Sequence, residues 1–407
     1  MVSAPPELKT CWHGRDGGIA VSTTAPEASR PEVSELTGCG RLLVVVHGHL
    51  TGSMAATPAL RSLRKALPEA RIDVLGLRCV RPILGRSPHI NSLIEWGDFR
   101  HRQTPVGRIE KGAMVAALGL RLRRRNYDAT LILHASSRPM RTLAQLVGSP
   151  LRAGIADGSD GYSHPAPPPV GGVESARQEN ARILAAVGLA DDGGPVELVT
   201  TAGEQRRAGQ FLGAGTGPLI GIHAGADWSC QEWLPERFAE VAATLQRQTG
   251  ARLVLTGSAT QAALQDQIAS GLPLPPIRTA GRTSFGEFVE VIRRLDLLIC
   301  VSTAASAVAD AVGTPSVVLL GPEDRRLTGM ESSTTRRILQ PGGTLPTGSW
   351  CELGRYPILW ACESPVCRGV GGLDRLRPSE VTAAALELLA VSGLVQKPTS
   401  RRLASAC

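Results

Sequence analysis

Aromatic residues are scarce in this chain: three Tyr, five Phe and six Trp make up 3% of 407 residues. Basic residues interleave with aromatics on no stretch, so the stacking platforms of nucleic-acid binders are missing and no nucleic-acid partner is expected. No apolar run reaches the roughly 20 residues a bilayer-spanning helix needs. The opening, MVSAPPELKTCWHGRDGG, lacks the charged, apolar and cleavage regions of a secretory leader, so a cytoplasmic location is expected. The nine cysteines are scattered, odd in number and without framework spacing, which fits reduced thiols. Cys351, Cys362 and Cys367 are eleven and five residues apart, which suits no tight zinc knuckle, and a structural loop is the expectation there.

What is present describes a globular chain, 43% apolar and 20% charged. Its length exceeds one ordinary core, so two domains are the default. The 44 basic residues against 36 acidic ones leave a net charge of +8. That excess suits solubility, an anionic ligand or a membrane surface with anionic headgroups.

The chain is organised around RLLVVVHGHLTGSMAATPALRSLRKALP, residues 41–68. The Val-rich run Leu42–Val46 reads as a strand buried on both faces of a parallel sheet. A glycine-bearing loop over 47–53 follows, and from Met54 apolar residues recur at helical spacing. In an open α/β sheet the loop at a strand's carboxyl end is where ligands bind.

The remainder alternates in the same way. Residues 1–40 read as a loosely ordered extension. Strands are expected over 71–77, 89–96, 129–134 and 151–155, and helices over 82–84, 110–125, 140–146 and 175–187. A Pro- and Gly-rich loop covers 156–172, and 202–212 reads as the hinge. The pattern restarts with strands over 218–223, 251–255, 278–279, 295–301 and 316–320. Helices are expected over 235–249, 260–270, 284–294 (Phe285, Phe288, Val291 and Ile292 inward) and 302–312. An irregular segment follows Pro341, then a helix over 378–391 with Ser379 as cap. Alternation of this kind means parallel, doubly wound sheets. The expected division is an extension 1–40, a first Rossmann-like domain 41–201, a second 202–345, and a Cys- and Pro-containing loop with a terminal helix over 346–407.

Several blocks, in order, resemble glycosyltransferase family 9, the ADP-heptose:lipopolysaccharide heptosyltransferases. They are ATPALRSLRKALPEARIDVL, PHINSLIEW and YDATLILH in the first half. In the second they are IGIHAGADWSCQEWLPERFAEVA, ARLVLTGS, AGRTSFGEFVEVIRRLDLLICVSTAASAVADAVGTPSVVLLGP and the closing RPSEVTAAALELL. The resemblance covers about 41–389. It implies an α/β GT-B fold of two tandem doubly wound domains. The first would bind an acceptor and the second a nucleotide sugar, with a cleft between them.

Three motifs depart from the family's pattern. The family's GALGD-like loop carries an Asp as proposed base where this chain has Gly52. A Lys two residues before a Trp is Gln231 here, ahead of Trp233. The DTG-x-x-H motif appears as Ser302-Thr303-Ala304-Ala305-Ser306-Ala307, so Asp is replaced by Ser and His by Ala.

Transfer still requires a proton acceptor and stabilisation of a diphosphate leaving group. An imidazole ordinarily titrates near neutrality, so His49, and after it His47, is the expected base. The string HGHLTGS is also similar to the opening loop of plant-type glycosyltransferases, where the histidine is the base. The plainer reading, in which His49 only hydrogen-bonds its loop, stays open. Thr51, Ser53 and His134 are expected near the acceptor, although a strand-end His is more often a satisfied structural residue. His223, Gly225, Gln231, Thr256, Gly257, Glu287, Ser302, Thr303 and Ser306 are expected around the nucleotide sugar. For the small residues turn geometry competes, and for Glu287 a favourable helix amino-terminal charge. No DxD pair marks a metal-dependent cleft, Asp157 and Asp160 are assigned no metal, and no cofactor is expected beyond the nucleotide-sugar co-substrate.

The implied activity is inverting, metal-independent transfer from ADP-heptose to a saccharide or glycolipid acceptor, with peripheral contact at the inner membrane's cytoplasmic face. Two alternatives are a non-catalytic GT-B partner that has lost the reaction, and a sugar-nucleotide epimerase or phosphorylase.

Overall fold

A computed structural model describes residues 34–46, 48, 50–96, 105–134, 138–156, 161–169, 174–226, 231–321, 325–329, 332–341 and 373–395. The first half runs β1 (Arg41–Val46), α1 (Leu50–Ala66), β2 (Arg71–Leu77), α2 (Arg81–Leu84), β3 (Ser92–Trp96), α3 (Pro105–Arg123), β4 (Ala129–Leu133), α4 (Arg138–Val147), β5 (Leu151–Ile155), β6 (His164–Ala166) and α5 (Ala176–Ala185). The second runs α6 (Ala202–Leu212), β7 (Leu219–His223), α7 (Pro235–Thr249), β8 (Arg252–Leu255), α8 (Ala262–Ser270), β9 (Ile277–Arg278), α9 (Phe285–Arg293), β10 (Leu297–Val301), α10 (Ala304–Val312), β11 (Ser316–Leu319), α11 (Arg325–Thr328), β12 (Arg336–Leu339) and α12 (Pro378–Val391).

Each half builds one parallel six-stranded sheet, ordered β3-β2-β1-β4-β5-β6 and β12-β11-β10-β7-β8-β9. The first strand of each half sits at the centre, which is why Leu42–Val46 and Ile220–Ile222 can be continuous apolar runs: both their faces are covered. One apolar core runs from the first sheet through α1 to α10, α9 and the near face of the second sheet. A second core lies beneath α7 and α12 on the far face. The helices following the two central crossovers, α1 and α10, pack against each other.

Several expectations need correction. Helix α1 begins at Leu50, four residues before Met54, so Thr51, Gly52 and Ser53 belong to its first turn rather than to a loop. β3 starts at Ser92 rather than His89, and α3 at Pro105 rather than Glu110. The stretch read as a loop over 156–172 contains β6, paired to β5 through Ala153 and His164. β12 is a further strand missed before Pro341. The 202–212 segment is a helix packed on α9, opened by a Thr201–Glu204 capping box, rather than a free hinge. Phe285 and Phe288 are only half-buried, and Val289 takes the inward place. Ser379 lies inside α12, whose cap residue is Arg377; the Glu380 carboxylate accepts the Arg377 N–H at 2.9 Å. Residues 34–40 are also tied down: Leu36 is 1% exposed and the Glu35 N–H donates to the Val187 carbonyl at 3.1 Å.

Candidate functional site

In both sheets the strand order reverses beside the first strand, between β1 and β4 and between β7 and β10. Connections leaving two adjacent strands in opposite directions open a crevice at their carboxyl ends, where ligands bind in open α/β sheets. The residues that follow these four strands are therefore the ones to examine.

On the first sheet, His47 and His49 lie outside the described residues. Gly48 between them has φ of +127°, a conformation open to glycine and strained for any side chain. Thr51 is exposed. Ser53 is fully buried, and its hydroxyl donates to the Leu50 carbonyl at 2.7 Å, so it is turned into the protein. His134 follows β4 directly with φ of +50°. Its Nδ1 is 2.7 Å from Oε2 of Glu179 on α5. A methyl group placed on Gly48 would lie 3.4 Å from His134 Cδ2, so the ends of β1 and β4 touch through this ring.

On the second sheet, His223 ends β7 with its Nδ1 2.9 Å from the Thr256 hydroxyl and its ring centroid 5.7 Å from that of Phe288. Burial pushes its pKa down to about 4, so the ring is neutral at physiological pH. Thr256 is buried and its N–H continues the ladder to the Ile222 carbonyl. Gly225 and Gly257 face each other across the Gln261 side chain. A methyl group on either would collide with that amide, and the Ser258 N–H donates to Gln261 Oε1 at 2.9 Å. Gln231 is buried nearby in the same connection. Ser302 and Thr303 lead from β10 into α10. Thr303 is the N-cap residue but supplies no side-chain cap; the Ser306 N–H donates to the Thr303 carbonyl at 3.1 Å, and the Ala304 and Ala305 N–H groups open the helix as donors for an anionic acceptor. The Ser306 hydroxyl is buried and donates to the Thr303 carbonyl at 2.7 Å. Glu287 forms a capping box with Ser284, and its carboxylate pairs with Arg207. Burial, the largest single influence, pushes the Glu287 pKa up, but the hydrogen bonds from Arg207 and Ser284 and the Arg207 charge together outweigh it and hold the carboxyl below its ordinary value.

Sequence reading missed Glu179, Gln261 and Gln265. Gln265 is 3% exposed, and both of its amide atoms are buried without a hydrogen-bond partner. The signal for Gln261 and Gln265 is their i, i+4 spacing just after Gly257, which puts both amides on one side of a helix start. Among the described residues no group of three His, Cys, Asp or Glu side chains is arranged to hold a metal ion.

The connection between the halves is strapped to α1. The Arg61 guanidinium grips Asp192 through two bonds of 2.6 and 2.7 Å and Glu197 through a third of 2.7 Å. Hydrogen bonds from Arg61, then Lys65, hold the Asp192 carboxyl far below the ordinary carboxylate range. Beyond it, Thr200 donates to Glu290 on α9 at 2.7 Å, and Arg86 pairs with Glu204 on α6.

Residues 115–347 match the family model described as glycosyltransferase family 9 (heptosyltransferase). The chain is 29% identical over 295 residues to lipopolysaccharide heptosyltransferase 3 of Escherichia coli strain K12, covering 68% of this chain and 80% of that protein. Among solved structures it is similar to the glycosyl transferase family 9 protein from Veillonella parvula DSM 2008, at TM-score 0.69 and 20% identity, over 88% of this chain and 98% of that one. It is also similar to ADP-heptose lps heptosyltransferase II of E. coli, at TM-score 0.63 and 22% identity, over 87% and 99%. At these identities the two structures bear on fold, which is the GT-B arrangement of two Rossmann-like domains.

Proposed function

Because the chain belongs to glycosyltransferase family 9, the heptosyltransferases, we propose that it is an inverting, metal-independent transferase moving heptose from ADP-heptose to a saccharide hydroxyl. The acceptor class is a lipopolysaccharide core or a glycoside natural product. The names of the relatives support donor and acceptor: one is a lipopolysaccharide heptosyltransferase, another an ADP-heptose enzyme.

The observation that carries the reading is the second sheet's crevice. There the start of α10, without a side-chain cap, stands at the switch point beside a connection whose Gly225 and Gly257 make room for the Gln261 amide. Oriented N–H groups at a helix start stabilise a departing diphosphate without a cation. Attack by an acceptor hydroxyl held on the first sheet, from the face opposite the leaving group, inverts the anomeric centre. The proton acceptor is an imidazole at the carboxyl edge of the first sheet, since the family's Asp position is Gly52. Sequence alone nominates His49 and then His47. For a glycolipid acceptor, the net charge of +8 favours peripheral contact with anionic headgroups at the cytoplasmic face.

A panel of ADP, UDP and GDP tests this donor site. A ligand that binds only the folded state raises the melting temperature, by an amount that grows with its concentration over Kd. ADP is expected to raise it most, and no shift with any of the three would overturn the reading. A second reading, a GT-B partner without the reaction, is favoured by Gly52, Gln231, Ser302 and Ala307 standing at the family's Asp, Lys, Asp and His positions. It requires binding without turnover.

A further inference from the structure

We propose that His134, oriented by Glu179, is the residue that takes the proton from the acceptor hydroxyl. The inference rests on the transferase reading above and names the base that reading leaves open.

Placement is the first argument. His134 is the residue directly after β4, and the β1/β4 boundary is the switch point of the first sheet. Its ring lies against Gly48, in the connection that leaves β1. Backbone is the second. Among the described residues only Asn126 and His134 are non-glycine residues with positive φ. A strand-end residue held in that region costs free energy, and such conformations concentrate where a site fixes a side chain's direction.

The third argument is the hydrogen bond. A carboxylate 2.7 Å from Nδ1 accepts a hydrogen bond from an Nδ1–H, which in the neutral ring leaves Nε2 as the lone-pair nitrogen. Among the described residues no hydrogen bond reaches Nε2, and the ring is 32% exposed. A base needs this arrangement: one nitrogen anchored, the other open to substrate.

The pair is not needed to hold α5 in place. That helix already buries Ile183 and Leu184, and its Asn180 donates to the Ala55 carbonyl at 3.1 Å. Glu179 stands one turn from Ser175, the cap of α5, and a methyl group on Gly329 of the second half would meet Ser175 Cβ at 2.8 Å. The dyad is therefore carried next to the segment that follows β11 at the carboxyl edge of the second sheet.

The step balances. The acceptor oxygen bonds to the anomeric carbon as its proton passes to Nε2. The bond from that carbon to the phosphate oxygen breaks, and ADP leaves with the electron pair. The imidazolium, stabilised by the Glu179 carboxylate, returns its proton to water. Glu179 is a positioning residue in this scheme and His134 the catalytic one.

Three variants of the full chain test the assignment, with heptosyl transfer from ADP-heptose to a deacylated lipopolysaccharide-core oligosaccharide as the readout. His134→Asn keeps a side chain that tolerates positive φ but removes the base. It is expected to lose about a hundredfold or more in kcat, while KM for ADP-heptose and the ADP-induced melting shift stay at wild-type values. His134→Gly also fits the backbone, and added imidazole should restore part of its turnover, which no purely structural role would allow. Glu179→Gln should lower kcat more than it changes KM. Wild-type kcat in His134→Asn, or loss of turnover in His134→Gly that imidazole does not relieve, would overturn the assignment. A loss found only in His49→Ala or His47→Ala would do the same and move the role to the opening loop. If the wild-type protein transfers nothing from ADP-heptose, the transferase reading falls and the dyad with it.

Discussion

His223 shows how one ring, half-buried and desolvated at a strand end, sets a pH limit. Its folded pKa is about 4 against an ordinary 6.5, because burial penalises the charged form. Between those values the unfolded chain binds the proton and the folded one does not. The stability this ring allows is therefore complete above about pH 6.5 and falls as the pH drops toward 4, by about 1.4 kcal/mol per unit of difference in pKa. Chemical denaturation across that window should show the decline, and His223→Gln should flatten it; an unchanged slope would contradict the burial argument. His223 and His134 were legible as strand-end residues in PLIGIH and ATLILH. Their partners were not. Glu179 sits 45 positions from His134 on an amphipathic helix where it reads as an ordinary solvated charge, and only the fold brings the two together.

At the scale of elements, alternation of apolar strands with amphipathic helices made the two sheets readable, because the central strands are buried on both faces and carry uninterrupted Val, Ile and Leu. Two of the four edge strands, β6 and β12, escaped. β6 is three residues with a central Pro165, and β12 carries Arg336 and Arg337; short, polar pairing at a sheet edge leaves no period to detect. The start of α1 was misplaced because Gly52 suggested a loop. Glycine in a helix costs only about 1 kcal/mol relative to alanine, and burial of Met54, Ala56 and Leu60 outweighs that. Elements also fix which small residues cannot grow. On β7, a methyl group at Gly221 would strike the Leu295 side chain and approach Leu298 Cδ1 to 3.1 Å. Gly221→Ala should destabilise the protein by about 1–3 kcal/mol, the usual range for overpacking, read as a lower denaturation midpoint with an unchanged slope. A midpoint equal to that of the original chain would mean that the second sheet yields more than its packing implies.

Across the whole molecule, the two sheets share one core through α1 and α10, and the Arg61 strap pins the connection between them. This puts two switch-point crevices in one body, one with an imidazole and carboxylate at its edge, the other with a helix start without a side-chain cap and a glycine-bounded amide. The scaffold was legible in the sequence because its blocks recur in order along 41–389. The chemistry was less so, since Gly52, Gln231, Ser302 and Ala307 remove the side chains by which the family's reaction is recognised. What distinguishes a working transferase from an empty scaffold is turnover. The most direct measurement is mass spectrometry of a lipopolysaccharide-core oligosaccharide incubated with the protein and ADP-heptose. The account predicts an acceptor heavier by one heptosyl unit, with ADP released in equal amount and the new bond inverted relative to the donor. ADP-heptose recovered intact with the acceptor unmodified, under conditions where ADP raises the melting temperature, would contradict it.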